Sequence, residues 1–136
     1  MRVFRSKQTS PARTGVLVVD DEQTVLDLQN RVLSDAGYNV VTANDAAKAL
    51  EIVRQKSDID LIIADVHMPN MNGDEMARHV RAIRPELKIL FVTGFSDTLF
   101  ANQNTLWDDQ AYLDKPFTRK GLLEAVSLLL NGQINS

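Results

Sequence analysis

The sequence predicts an α/β domain built on a parallel sheet covered by helices on both faces. Three observations carry that prediction. Five short apolar runs, several rich in β-branched residues, recur along the chain, as expected of strands buried on both faces. Stretches with apolar residues at helical spacing separate them, so the order alternates strand and helix. The chain has 136 residues, which suits one domain and leaves little room for two. Right-handed crossovers then leave few arrangements open.

The elements follow in order. Residues 1–14 are polar and basic, with one proline and no periodicity, and read as a loose arm or linker. The first strand is Val16 to Val19. Val25, Leu28, Val32 and Ala36 share one helical face that ends at Gly37. Tyr38 to Ala43 is the second strand. A second helix follows Asn44, a good N-cap type, with Ala46, Leu50 and Val53 on its inner face. Leu61 to Ala64 is the third strand. The third helix carries Met76, Val80 and Ile83; His79, Arg81 and Arg84 near its end favour the helix dipole, and Pro85 stops it. Ile89 to Thr93 and Ala111 to Leu113 are the fourth and fifth strands. Between them, Asn102 to Thr105 are poor helix formers, so the fourth helix is expected to be short or irregular. Phe100 and Trp107 read as packing residues of that segment in preference to exposed contacts. The final helix follows Thr118, with Leu122, Val126 and Leu129 inward and Leu123 and Leu130 beside them. The domain therefore spans 15–131, with a tail at 132–136.

Composition excludes whole classes. Apolar residues make up 44% and charged residues 24%, a balance unlike disordered or fibrous chains. The formal charge of −3 does not suggest a nucleic-acid domain, so no direct nucleic-acid binding is expected. The absence of cysteine removes disulfides, thiolate metal sites and cysteine nucleophiles. The apolar runs are far short of the roughly 20 residues of a membrane helix, and the N-terminus has no signal-peptide core. A soluble, cytoplasmic domain without membrane insertion is expected.

In parallel sheets of this kind, ligand groups gather beyond the carboxyl ends of the strands. The first strand runs into Asp20-Asp21-Glu22, and the third ends at Asp65. If those strands are neighbours, the carboxylates converge, and such a cluster calls for a cation. An oxygen-rich, sulfur-free set suits a hard divalent ion, best Mg2+. His67 has no second histidine at ligand spacing, so it does not read as a transition-metal ligand; Met68 and Met71 read as loop packing, and Pro69 and Gly73 mark a turn. Thr93-Gly94 places a hydroxyl at the end of the fourth strand. Lys115 offers a compact cation after the fifth, with Pro116 behind it. A carboxylate, a cation, a hydroxyl and an ammonium together make a kit for phosphoryl transfer to an aspartate.

The segments VLVVDDE, LIIADVHMPNMNG, ILFVTGFSD and YLDKPF, in this order and spacing, resemble the receiver domain of two-component response regulators over about residues 15–131. The resemblance implies a flavodoxin-like (βα)5 fold, a doubly wound five-stranded parallel sheet in the order 2-1-3-4-5. It implies that Asp65 is the phospho-acceptor, taking a phosphoryl group from a phosphohistidine of a sensor histidine kinase or phosphotransfer domain. Asp21 matches the acid that binds Mg2+ directly, Asp20 the acid that holds it mainly through water, and the His67 backbone carbonyl the third protein ligand. Lys115 matches the phosphoryl-contacting lysine, Thr93 the switch hydroxyl and Tyr112 the aromatic residue that follows its movement. Phosphorylation would then switch a partner-binding surface, with a phosphorylation-dependent dimer among the expected outcomes. Gly94 fits the small residue usual after the switch hydroxyl. Leu106 to Gln110 departs from the family's small-residue turn there, which bears on the fourth helix and its partner face.

Such a domain signals rather than turns over substrate, apart from its own phosphoryl transfer and slow autodephosphorylation. After Leu130 only Asn131 to Ser136 remain, too few for a DNA-binding unit. Two architectures fit: a free-standing receiver, or the terminal receiver of a hybrid sensor kinase, which TGFSD and YLDKPFTRKGLLEAV resemble. The main alternative is an Mg-dependent phosphatase or phosphotransferase with an aspartate nucleophile. Those usually carry a second acid two residues after the nucleophile, where His67 stands. A flavin or nucleotide binder would want a phosphate loop after the first strand, and Asp20-Asp21-Glu22 is anionic instead. A receiver that never takes phosphate would normally lack a key residue, and none is missing.

Overall fold

The computed structural model describes residues 14–66, 68, 71–93, 110–114 and 117–131. Strands and helices alternate as β1 (Gly15–Val19), α1 (Gln23–Asp35), β2 (Asn39–Ala43), α2 (Ala46–Gln55), β3 (Ile59–Asp65), α3 (Gly73–Ile83), β4 (Lys88–Thr93), β5 (Gln110–Asp114) and α4 (Arg119–Asn131). All neighbouring strands pair in parallel, in the order β2-β1-β3-β4-β5. That is the doubly wound order expected. The segment 94–109, where a short or irregular helix was expected, lies outside the described residues, as do Phe100 and Trp107.

Strand pleating divides the core in two. Leu17, Val19, Ile62 and Ala64 face α2 and α3, where Leu50, Val53, Met76 and Val80 close one apolar layer. Val16, Val18, Leu61 and Ile63 face the other way, onto Leu26 and Leu33 of α1 and Leu122 and Val126 of α4. The central runs Val16 to Val19, Leu61 to Ala64 and Ile89 to Val92 are thus apolar at every position because both faces are covered.

Two expectations about the helices need correction. The buried stripe of α1 is Leu26, Gln29, Val32 and Leu33. Leu28, read as inward, is 53% exposed, and Gln29 takes the inner place at 1%. The periodicity of α1 permits either phase, and packing on β1 selects the one carrying Leu26 and Leu33. The N-cap of α2 is Asp45 rather than Asn44; its carboxylate accepts from Lys48 N–H at 2.8 Å. Both residues are good cap types, and the one that immediately precedes the first helical turn takes the role.

The remaining ends behave as expected. Gly37 has φ 101°, and α1 closes with Tyr38 N–H donating to the Leu33 carbonyl at 3.1 Å and Gly37 N–H to Ser34 at 3.0 Å. Thr118 caps α4 through Gly121 N–H at 2.9 Å. At the amino edge of the sheet, β3 carries a register shift. Gly15 pairs with Ile59 but Val16 with Leu61, and the skipped Asp60 turns its carboxylate to accept Gly15 N–H at 3.0 Å.

Candidate functional site

The site lies where β1 and β3 end side by side. Their register pairs Val19 with Ala64, so the next residue on each strand, Asp20 and Asp65, leaves the sheet at the same level. Asp21 follows on the β1–α1 turn. One carboxylate oxygen from each of Asp20, Asp21 and Asp65 lies within 4.8 Å of the others. Asp20 is fully buried, Asp65 is 7% exposed, and Asp21 faces solvent. Asp20 is oriented by its own turn, with Oδ1 accepting from Glu22 N–H at 2.9 Å, while its backbone N–H donates to the Ala43 carbonyl. The cluster therefore has a fixed inner wall and an open outer edge.

Three carboxylates at this spacing repel one another, and burial of Asp20 sharpens the cost. The donor set is oxygen only, which fits a hard divalent cation that keeps part of its hydration shell. The exposed Asp21 leaves the cation a route in from water.

The backbone around Asp65 is held from both sides. Within the sheet, Asp65 pairs with Val92, and Val66 N–H donates to the Val92 carbonyl at 3.3 Å. From the helix side, Gly73 N–H donates to the Val66 carbonyl at 2.7 Å. Asn72 caps α3, its Oδ1 accepting from Glu75 N–H at 2.8 Å. Met68 is buried in the adjoining core, and Met71 packs against it, so both act as loop packing.

Thr93 ends β4 opposite Asp114 in the register, one residue beyond the level of Asp65. Tyr112 stands on β5 opposite Phe91. The side chains of Thr93 and Tyr112 lie outside the described residues, as do His67, Gly94 and Lys115. Sequence reasoning took Gly73 as a turn marker and missed its contact with the Asp65 backbone. The Asn72-x-x-Glu75 spacing, a cap type followed three residues on by an acid, was the available sign that α3 starts there.

Comparison with known proteins extends this geometry. The family model described as response regulator receiver domain matches residues 16–127. The chain belongs to the response regulator receiver domain family. It is 31% identical over 115 residues to the response regulator receiver protein CpdR of Brucella abortus, covering 85% of this chain and 95% of that protein. It is 34% identical over 119 residues to the sensor kinase CckA of the same organism, covering 87% of this chain but only 13% of the kinase's length. Among solved structures, a response regulator receiver protein from Sinorhizobium medicae matches at 33% identity with a TM-score of 0.77, covering 87% of this chain and 94% of that one. Receivers are signalling domains of two-component systems, and their family works with histidine kinases or phosphotransfer proteins. Nothing in these comparisons favours the phosphatase alternative. No helix among the described residues is long and apolar enough to cross a membrane.

Proposed function

We propose that this receiver takes a phosphoryl group on Asp65 in an Mg2+-dependent reaction and uses it to reshape a partner-binding surface. The convergence of Asp20, Asp21 and Asp65 within 4.8 Å carries the reading. Asp21 and Asp65 would hold the cation directly, the His67 carbonyl would be the third protein ligand, and buried Asp20 would act mainly through bound water. Mg2+ supplies neutralisation of charge on the entering phosphoryl oxygens. An Asp65 oxygen attacks phosphorus, the P–N bond of the donor phosphohistidine breaks, and the imidazole nitrogen leaves with the bonding pair. Lys115 and Thr93 then donate to the phosphoryl oxygens, and Tyr112 follows Thr93. Water later cleaves the acyl phosphate in slow autodephosphorylation.

The donor is a sensor histidine kinase or phosphotransfer domain in the cytoplasm. The receiver occupies 15–131, between an arm at 1–14 and a tail at 132–136. Relatives include both a receiver protein of similar length and a sensor kinase many times longer, so both architectures remain natural settings. A phosphorylation-dependent dimer is one form the altered surface would take.

Intact-mass spectrometry after treatment with Mg2+ and acetyl phosphate tests this. One acid-stable, base-labile phosphoryl group should appear, vanish with chelator, and be absent from Asp65→Asn. Incorporation that survives the Asp65→Asn substitution would place the acceptor elsewhere.

A further inference from the structure

We infer that Gly73 is a positioning residue for Asp65, acting as the back-stop of the acceptor's own peptide. The inference rests on the reading of Asp65 as acceptor. Gly73 is the first residue of α3 and is buried. Its φ is not in the left-handed region, where Gly37 alone is found among the described glycines. Backbone conformation therefore does not explain a glycine here. Space does. A Cβ on residue 73 would stand 2.7 Å from the Asp65 carbonyl oxygen, 3.1 Å from Val66 Cα and 3.1 Å from Phe91 Cε1. The nearest obstacle is backbone of the acceptor strand, which cannot swing aside as a side-chain tip can.

The absent side chain lets the first turn of α3 abut that backbone. There Gly73 N–H donates to the Val66 carbonyl at 2.7 Å, while Val66 N–H is engaged with Val92 of β4 at 3.3 Å. The residue following the acceptor is thus held between a helix start and a neighbouring strand. The helix start keeps its shape because Asn72 caps it through Glu75 N–H and the Asn72 carbonyl accepts from Met76 N–H at 3.0 Å, and Met76, Ala77 and Val80 seat it on the core beside Ala64 and Phe91. Phosphoryl transfer depends mostly on placement of the attacking oxygen, and small displacements cost rate steeply. A rigid stop behind the acceptor peptide serves that need. It also keeps the Asp65 carboxylate within reach of Asp20 and Asp21.

The test compares the full-length wild type with Gly73→Ala, Asn72→Ala and Gly121→Ala. Gly121 is a matched control within α4, where an added Cβ would meet only the Thr118 hydroxyl at 3.2 Å. Gly73→Ala should lower the maximal rate of phosphoryl acceptance from acetyl phosphate at saturating Mg2+ by about 10-fold or more. Half-saturation by acetyl phosphate should stay unchanged, since residue 73 is buried behind the Asp65 peptide. Amide exchange should quicken at residue 73 and at Val66. Gly121→Ala should match the wild type in all three readouts. Should Gly73→Ala fail to fold, Asn72→Ala loosens the same stop without adding an atom and should move the rate and both amides in the same direction. A folded Gly73→Ala with wild-type rate and wild-type Val66 protection overturns the inference, as does a folded Asn72→Ala with neither changed. A wild type that takes no phosphoryl group on Asp65 would instead defeat the acceptor reading. Val66 protection would then still report whether residue 73 braces the acceptor peptide, and unaltered protection would overturn the inference.

Discussion

The Arg84 guanidinium reaches back 25 residues to donate to the Ile59 carbonyl at 2.9 Å. It also donates to the Lys56 carbonyl at 3.1 Å and to the exposed Glu86 at 3.2 Å. The residue after α3 therefore ties down the turn that feeds β3, the strand ending in Asp65. Lysine offers a single ammonium in place of the planar fork and cannot reproduce both carbonyl bonds. Arg84→Lys should cost about 1–3 kcal/mol. The urea midpoint should fall with the slope of the unfolding transition unchanged.

The acidic cluster makes a stability prediction as well as a binding one. Without Mg2+, the three carboxylates repel, so Asp21→Asn should raise the melting temperature. With Mg2+, the order should invert. A cation at about 100 times its Kd adds roughly 2.7 kcal/mol to the wild type, and much less to the variant that binds it poorly. Thermal melts with Mg2+ and with chelator would show the crossing. Parallel curves would argue against cation binding at this cluster.

Helix capping separates two adjacent residues. Asp45→Ala should destabilise by about 1 kcal/mol, because Lys48 N–H loses its acceptor. Asn44→Ala should stay within about 0.5 kcal/mol, since an exposed residue outside such a feature contributes little. Chemical denaturation of the two variants side by side measures the difference.

Tyr38 sets an alkaline limit. Partial burial pushes its phenol above the ordinary tyrosine value of 10.0. The folded state therefore prefers the neutral phenol. That contribution is fully present below pH 10, the value of an unfolded tyrosine, and is lost as the pH rises through the higher folded value. Stability should decline above about pH 10, and Tyr38→Phe should flatten the decline by one proton's worth. Urea midpoints between pH 8 and 11 give the comparison.

Acid behaviour at the other pole follows from Glu86. Its own backbone N–H and then Arg84 hold its carboxyl below the usual carboxylate range. A depressed folded value stabilises above the unfolded value and is lost as pH falls through the folded one. Glu86 is exposed, so Glu86→Gln should change acid unfolding only slightly, whereas Arg84→Lys should lower stability at neutral and acid pH alike.

Much of this protein was legible in the chain because its signals are local. Runs such as Val16 to Val19 and Leu61 to Ala64 declare strands buried on two faces, and the residues that follow them name the chemistry. Three kinds of decision were not local. Asp20 and Asp65 lie far apart in sequence, and only the parallel register of β1 on β3, Val19 beside Ala64, brings their carboxylates together. The phase of α1 was ambiguous, because Leu28 and Gln29 are neighbours on a helix, and packing on β1 put the glutamine inside. The need for glycine at 73 arises from the carbonyl of Asp65, which no spacing along the chain reveals. Local patterning thus determined the elements and the types of reacting group. The tertiary structure decided which of them meet, because distances between strands and the room beside a peptide are set by packing.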